Sequence, residues 1–214
     1  NVQRVIEQQI KKYNTDVGAK NIAVMVMNPN NGEILAMASQ NSYDLNNPRE
    51  LSVMYTQEQI AGMDETTTAK NLMEMWSNFC IASAYEPGST FKPFTIAAAL
   101  DEGAIKDSDY FGCTGVTNVA GSEIHCSVRT GHNSLSLQQS MMESCNSALI
   151  QIGAKLGREN FSKYNKIFGF GQKTGIDLPG ETVGIIHSKD ELNPVELATS
   201  SFGQTQTVTL VQML

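Results

Sequence analysis

No apolar run in the sequence approaches the ~20 residues of a membrane-spanning helix, so no segment of it is expected to cross a bilayer in that form. Positive charge is also short: 15 Lys and Arg stand against 22 Asp and Glu, giving a net charge of −7 and a pI near 5.0. That balance argues against a nucleic-acid binder and against docking on anionic lipid, since both need clustered basic residues. The Gly-x-Ser-x-Gly elbow is missing, which disfavours a Ser/His/Asp hydrolase. Cys-x-x-Cys is missing too, and His125, His132 and His187 are scattered without ordered spacing. Zinc is therefore not expected, the histidines read as surface or loop residues, and no cofactor is called for.

What remains is an ordered, globular composition: 214 residues, 41% hydrophobic and 17% charged, enough for one domain with a sizeable core. Four cysteines occur, Cys80, Cys113, Cys126 and Cys145. Cys113 and Cys126 bracket a Gly-rich polar loop. They read either as a bridge worth about 3 kcal/mol by loop entropy in an oxidising compartment, or as two unpaired thiols. Cys80 and Cys145 read as small buried residues.

The chain is organised around Glu86-Pro87-Gly88-Ser89-Thr90-Phe91-Lys92-Pro93-Phe94. A Pro-Gly turn precedes Ser89, and the apolar run Phe94–Leu100 follows, ending at Asp101-Glu102-Gly103. The run is too uniformly apolar for a surface helix, so a buried helix with Ser89 at its N-terminus is predicted. Ser89 and Lys92 are three residues apart and share one face of a helical turn. A serine attacks only when a base takes its proton. A lysine can serve if burial lowers its pKa from about 10.4, at roughly 1.4 kcal/mol per unit. Ser-x-x-Lys alone is a weak signal; its Pro-Gly and Pro flanks and its apolar sequel strengthen it.

Tyr85-Glu86-Pro87-Gly88-Ser89-Thr90-Phe91-Lys92-Pro93 resembles the nucleophile motif of penicillin-binding proteins, of the class B transpeptidase kind used in division, elongation and sporulation. That family has a Ser-x-Asn and a Lys-Thr/Ser-Gly as partner motifs. Ser144-Cys145-Asn146 fits the first, downstream of an apolar helical stretch begun by Leu135, Leu137, Met141 and Met142 with Ser134 or Ser136 as cap. Ser39-Gln40-Asn41 also fits the spelling but follows a predicted strand upstream of the nucleophile. The resemblance gives Ser144 a proton-passing role between Lys92 and the leaving nitrogen, and lets Asn146 bond Lys92 and the substrate backbone. Lys173-Thr174-Gly175 is spelled like the third motif, which must lie on a sheet-edge strand. It opens a Gly/Asp/Pro-rich turn instead, and no catalytic role is assigned to Lys173. Glu191-Leu192-Asn193 resembles the deacylating loop of class A β-lactamases, but Lys189 stands where the water-activating glutamate belongs. An efficient β-lactamase is not expected.

Elsewhere the periodicity of Val2, Val5, Ile6, Ile10 and Tyr13 after a capping Asn1 predicts an amphipathic helix. Ile22–Met27 and Glu33–Ala38 flank a Pro/Asn/Gly turn and predict a hairpin. Residues 49–75 read as loops and short helices. Phe161–Tyr164 and Ile167–Gly171 end a further helix, and Phe202-Gly203-Gln204 with Thr207–Gln212 resemble a helix before the closing part of the family's fold.

The resemblance covers nearly all of the chain and implies an α+β, serine β-lactamase-like fold: a helical subdomain plus an antiparallel sheet flanked by helices. Residues 1–214 would form one transpeptidase domain whose last strands, with the third motif, are expected beyond this stretch, leaving the stretch itself inactive. The implied reaction is peptidoglycan cross-linking. Ser89, with Lys92, Ser144 and Asn146, would form an acyl-enzyme from a D-Ala-D-Ala stem peptide, and β-lactams would trap it. Stem peptides, β-lactams and a membrane glycosyltransferase are the implied partners, with no nucleic acid. The implied location is the outer face of the cytoplasmic membrane, through an N-terminal anchor outside this stretch. A D,D-carboxypeptidase, a β-lactam sensor or an inactive cell-wall scaffold remain as alternatives.

Overall fold

A computed structural model describes residues 2–40 and 42–214. The predicted Asn1 cap and the Asn41 of the upstream Ser-x-Asn lie outside the described residues. Helix α1, Val2–Asp16, packs on the hairpin β1 (Ala23–Met27) and β2 (Ile34–Ser39), whose antiparallel register pairs Met25 with Met37. Ile10 is its buried residue, whereas Val5 and Tyr13 stay exposed. Gln3 also ties the helix to the hairpin: its amide donates to the Met37 carbonyl at 2.9 Å and accepts from the Met37 N–H at 2.9 Å. The β2 edge is thereby satisfied.

A short 3₁₀ turn at Leu51–Val53 leads to α2 (Gln57–Ala61) and α3 (Glu65–Trp76). The full three turns of α3 exceed the short helices expected here; Asp64 caps it, accepting from Thr67 N–H at 2.7 Å. Leu51, Leu72 and Met75 form a small separate core beneath. Next come α4 (Phe79–Ala82), β3 (Ala84–Tyr85), a 3₁₀ turn at Gly88–Phe91 and α5 (Lys92–Asp101). The apolar run is thus a helix as expected, but Ser89 sits in the tighter turn before it.

Two more antiparallel pairs follow, β4 (Tyr110–Cys113) with β7 (Asn133–Ser136) and β5 (Val116–Val119) with β6 (Ser122–His125). Ser136 closes a capping box with Gln139 and starts α6, Leu137–Met142. Then α7, Asn146–Ile167, lies along α5, broken at Gly157 where φ is 76°. Asn193 caps α8, Pro194–Ser200, so Glu191-Leu192-Asn193 is a helix start rather than a water-activating loop. The segment expected as a last helix is instead β8 (Val208–Thr209), paired with β3, followed by a 3₁₀ turn at Val211–Met213.

The main core lies between α5 and α7. Phe91, Leu149, Ile152, Phe161 and Phe170 are its buried centre. Phe170 stacks edge-on to Phe94 at 5.0 Å and tilted on Phe91 at 5.1 Å. Each such ring contributes roughly 1.5–3 kcal/mol by burial. The far end of α5 is tied to α7 by Tyr164, whose hydroxyl donates to Asp101 at 2.5 Å, and by Lys163 to Glu102 at 2.9 Å. This packing fixes α5, and with it the first-turn residue Lys92.

Candidate active site

The turn holding Ser89 is pinned from the other side of the site. Gly88, at φ 57°, donates its N–H to the Gly203 carbonyl at 2.8 Å. A Cβ on Gly203 would stand 2.1 Å from the Gly88 oxygen, so only glycine permits this approach. Thr90 Oγ1 donates to Pro87 O at 2.7 Å within the turn. Ser89 is left exposed, while Lys92, one turn on, is 1% exposed and enters the protein.

A buried ammonium needs acceptors for its protons. Lys92 Nζ finds three: Ser144 O at 2.6 Å, Ser144 Oγ at 2.8 Å and Asn146 Oδ1 at 2.8 Å. The Ser144 hydroxyl in turn donates to Ser89 Oγ at 3.0 Å. The Asn146 amide keeps its Oδ1 towards the lysine because Nδ2 donates to His125 O at 3.4 Å. All four residues singled out in the sequence, Ser89, Lys92, Ser144 and Asn146, are therefore joined in one network. The expected direct contact is not what joins the first two. Among the described residues the Ser144 hydroxyl bridges Ser89 and Lys92.

Ser144 adopts φ 48°, in the left-handed region, at a cost of about 1–2 kcal/mol for a residue with a Cβ. Its N–H bonds Met141 O at 3.1 Å, and the next N–H, of Cys145, bonds Ser140 O at 3.0 Å. The bend aims both the hydroxyl and the carbonyl of Ser144 at Lys92. Strain of this kind is typical of residues placed for chemistry.

Burial lowers the pKa of Lys92 from its ordinary value, and negative charge at Cys126 and Cys145 works in the opposite direction. The direction is the one a base requires. Hydrogen-bond capacity then fixes where a neutral lysine would point its lone pair. Ser144 O and Asn146 Oδ1 can only accept, so the two remaining N–H bonds serve them, and the lone pair faces Ser144 Oγ. A proton from Ser89 can pass to Ser144 while the Ser144 proton passes to Lys92.

Lys173-Thr174-Gly175 lies outside every strand, in an irregular loop where Glu181 accepts from the Thr174 N–H and hydroxyl at 2.6 Å each. All four cysteines are free thiols, so the Cys113–Cys126 bridge considered as one alternative is not formed. Sequence spacing missed one feature: Cys113, Cys126, Cys145 and His132 converge behind Asn146. His132, expected as an ordinary surface or loop residue, is half-buried among these thiols.

Residues 22–214 match the family described as the penicillin binding protein transpeptidase domain. The chain is 37% identical over 214 residues to stage V sporulation protein D of Bacillus subtilis, covering all of this chain and 30% of that protein. It is 29% identical over 169 residues to the peptidoglycan D,D-transpeptidase MrdA of Acinetobacter baumannii, covering 76% of this chain and 23% of that one. In fold it resembles the crystal structure of penicillin-binding protein 3 from Mycobacterium tuberculosis in complex with aztreonam. The TM-score is 0.79 at 24% identity, over 99% of this chain and 43% of that chain. The chain thus spans less than a third of the length of these curated relatives.

Proposed function

The chain belongs to the penicillin-binding protein transpeptidase domain family, and from that premise we propose that it supplies the nucleophile and base of a class B peptidoglycan D,D-transpeptidase. The whole stretch, residues 1–214, is taken as part of one such domain. The observation that carries the reading is the continuous chain of hydrogen bonds from Ser89 through Ser144 to the buried Lys92.

In this reading Ser89 Oγ attacks the carbonyl carbon of the penultimate D-alanine of a stem peptide. Its proton moves to Ser144 Oγ as the Ser144 proton moves to Lys92 Nζ. The Ser89 N–H, at the start of the helical turn, helps hold the oxyanion; losing one such donor typically costs about 10²–10³ in rate. As the C–N bond to the terminal D-alanine breaks, the relay runs backwards and the proton goes to the leaving amine. An amine from a second stem peptide then attacks the ester carbonyl, the same relay takes its proton, and Ser89 is released with a cross-link made. Asn146, already bonded to Lys92, orients the base, and in this reading its amide also bonds the substrate backbone. A β-lactam would acylate Ser89 in the same way but keep its leaving nitrogen tethered through the opened ring. The protein would act outside the cytoplasmic membrane, held by an anchor and working beside a membrane glycosyltransferase.

The complete protein, supplied with cross-linkable peptidoglycan precursor and a partner glycosyltransferase, should form cross-linked dimers of stem peptides. Ser89→Ala should form none. Release of D-alanine to water with no cross-link would identify a carboxypeptidase, and unchanged cross-linking by Ser89→Ala would refute the assignment.

A further inference from the structure

Behind the hydroxyl–amine network lies a second cluster that the reaction does not use. Cys113 ends β4, Cys126 directly follows β6, His132 directly precedes β7, and Cys145 is the residue before α7. Their three sulfurs and one ring nitrogen all lie within 4.8 Å of one another. Cys126 Sγ is 3.9 Å from Cys145 Sγ and 3.7 Å from His132 Nδ1. A tetrahedral zinc ion, with Zn–S about 2.3 Å and Zn–N about 2.0–2.1 Å, sets sulfurs about 3.8 Å apart and sulfur and nitrogen about 3.6 Å apart. These two spacings match those that one shared tetrahedral ion imposes, and the remaining ones lie within 4.8 Å.

The surroundings agree. The cysteines are 2%, 2% and 0% exposed, in chain order. His132 turns Nδ1 to sulfur, and its buried Nε2 has no hydrogen-bond partner. The loops that carry Cys113 and His132 cross so closely that a Cβ on Gly131 would stand 2.3 Å from the Cys113 oxygen.

We propose that Cys113, Cys126, His132 and Cys145 bind one Zn²⁺ in a closed tetrahedral site. Four protein ligands leave no open position, so the ion is structural and takes no part in acyl transfer. Binding releases three thiol protons to solvent and leaves the site, with its neutral imidazole, carrying one net negative charge. Its effect reaches the network because Cys145 is the middle residue of Ser144-Cys145-Asn146. By holding that sulfur the ion fixes the strained bend at Ser144, whose hydroxyl and carbonyl both meet Lys92.

The test uses the complete protein, purified in a reducing buffer without chelator. One zinc per chain is expected by elemental analysis. Cobalt exchanged into the site should give the intense visible bands and thiolate charge-transfer absorption of a tetrahedral cobalt–thiolate centre. Chelation should lower the melting temperature and expose reactive thiols, and added Zn²⁺ should reverse both. Cys126→Ser should weaken cobalt binding at least tenfold, while His132→Cys, which keeps four ligands, should retain the ion. If Cys126→Ser does not fold, the wild-type cobalt spectrum decides. Protein that takes up neither ion, an octahedral cobalt spectrum, or a mass two hydrogens light without metal would overturn the proposal. None of these readouts depends on whether Ser89 is acylated.

Discussion

Replacing Ser144 by alanine removes one hydroxyl and leaves the rest of its bend in place. Serine and alanine meet the same Cβ penalty at φ 48°, so backbone strain does not separate them. Lys92 keeps the Ser144 carbonyl at 2.6 Å and Asn146 Oδ1 at 2.8 Å and stays buried in position. The stability cost is that of one hydroxyl's hydrogen bonds, about 1 kcal/mol, or a fall of roughly 2–4 °C in melting temperature for a domain of this size. The kinetic cost is much larger, because among the described residues that hydroxyl alone bridges Ser89 and Lys92. General acid–base catalysis is worth about 10²–10⁴ in rate, or roughly 3–5.5 kcal/mol of barrier. The second-order rate of labelling of the complete protein by a fluorescent penicillin should therefore drop by about two to four decades while the melting curve barely moves. A Ser144→Ala protein that labels within about threefold of the wild-type rate would refute the relay; a factor of three is under 1 kcal/mol.

Further consequences can be measured in the same material. Because Lys92 must be neutral to accept a proton and burial lowers its pKa, labelling should rise with pH and level off below the range of an ordinary lysine, 10.5. A rate that keeps rising through that value would place the base elsewhere. Gly203→Ala puts a side chain at φ 85° and 2.1 Å from the Gly88 oxygen, so the nucleophile turn must shift. A stability loss of at least about 1–3 kcal/mol in urea unfolding is expected, with slower acylation. Phe170→Ala empties the space between Phe91 and Phe94 and should cost about 3–5 kcal/mol in the same experiment.

Much of this site could be read from sequence because its parts are local. Ser89 and Lys92 lie within one turn, Ser144 and Asn146 within one triplet, and Pro-Gly and apolar flanks mark the first pair as built for burial. The hairpin β1–β2 was legible through its β-rich runs and Pro/Asn/Gly turn. Less local features were not. The positive φ of Ser144, which makes the hydroxyl a bridge, has no sequence signature in a serine. Strand β8 is two residues long and exists because β3 lies beside it, so its Thr/Val pattern could not tell strand from helix. The four residues proposed to hold zinc are separated by twelve, five and twelve residues and sit at the ends of four different elements. Short-motif reasoning, which looks for Cys-x-x-Cys, passes over such a set.

The central claim is that Ser89 is the residue that becomes acylated. Peptide mapping of the complete protein after brief exposure to a β-lactam should find the whole antibiotic mass added at Ser89, inside Glu86–Lys92. An adduct on any other residue, or an unmodified Ser89 in protein that has consumed the antibiotic, would contradict the account.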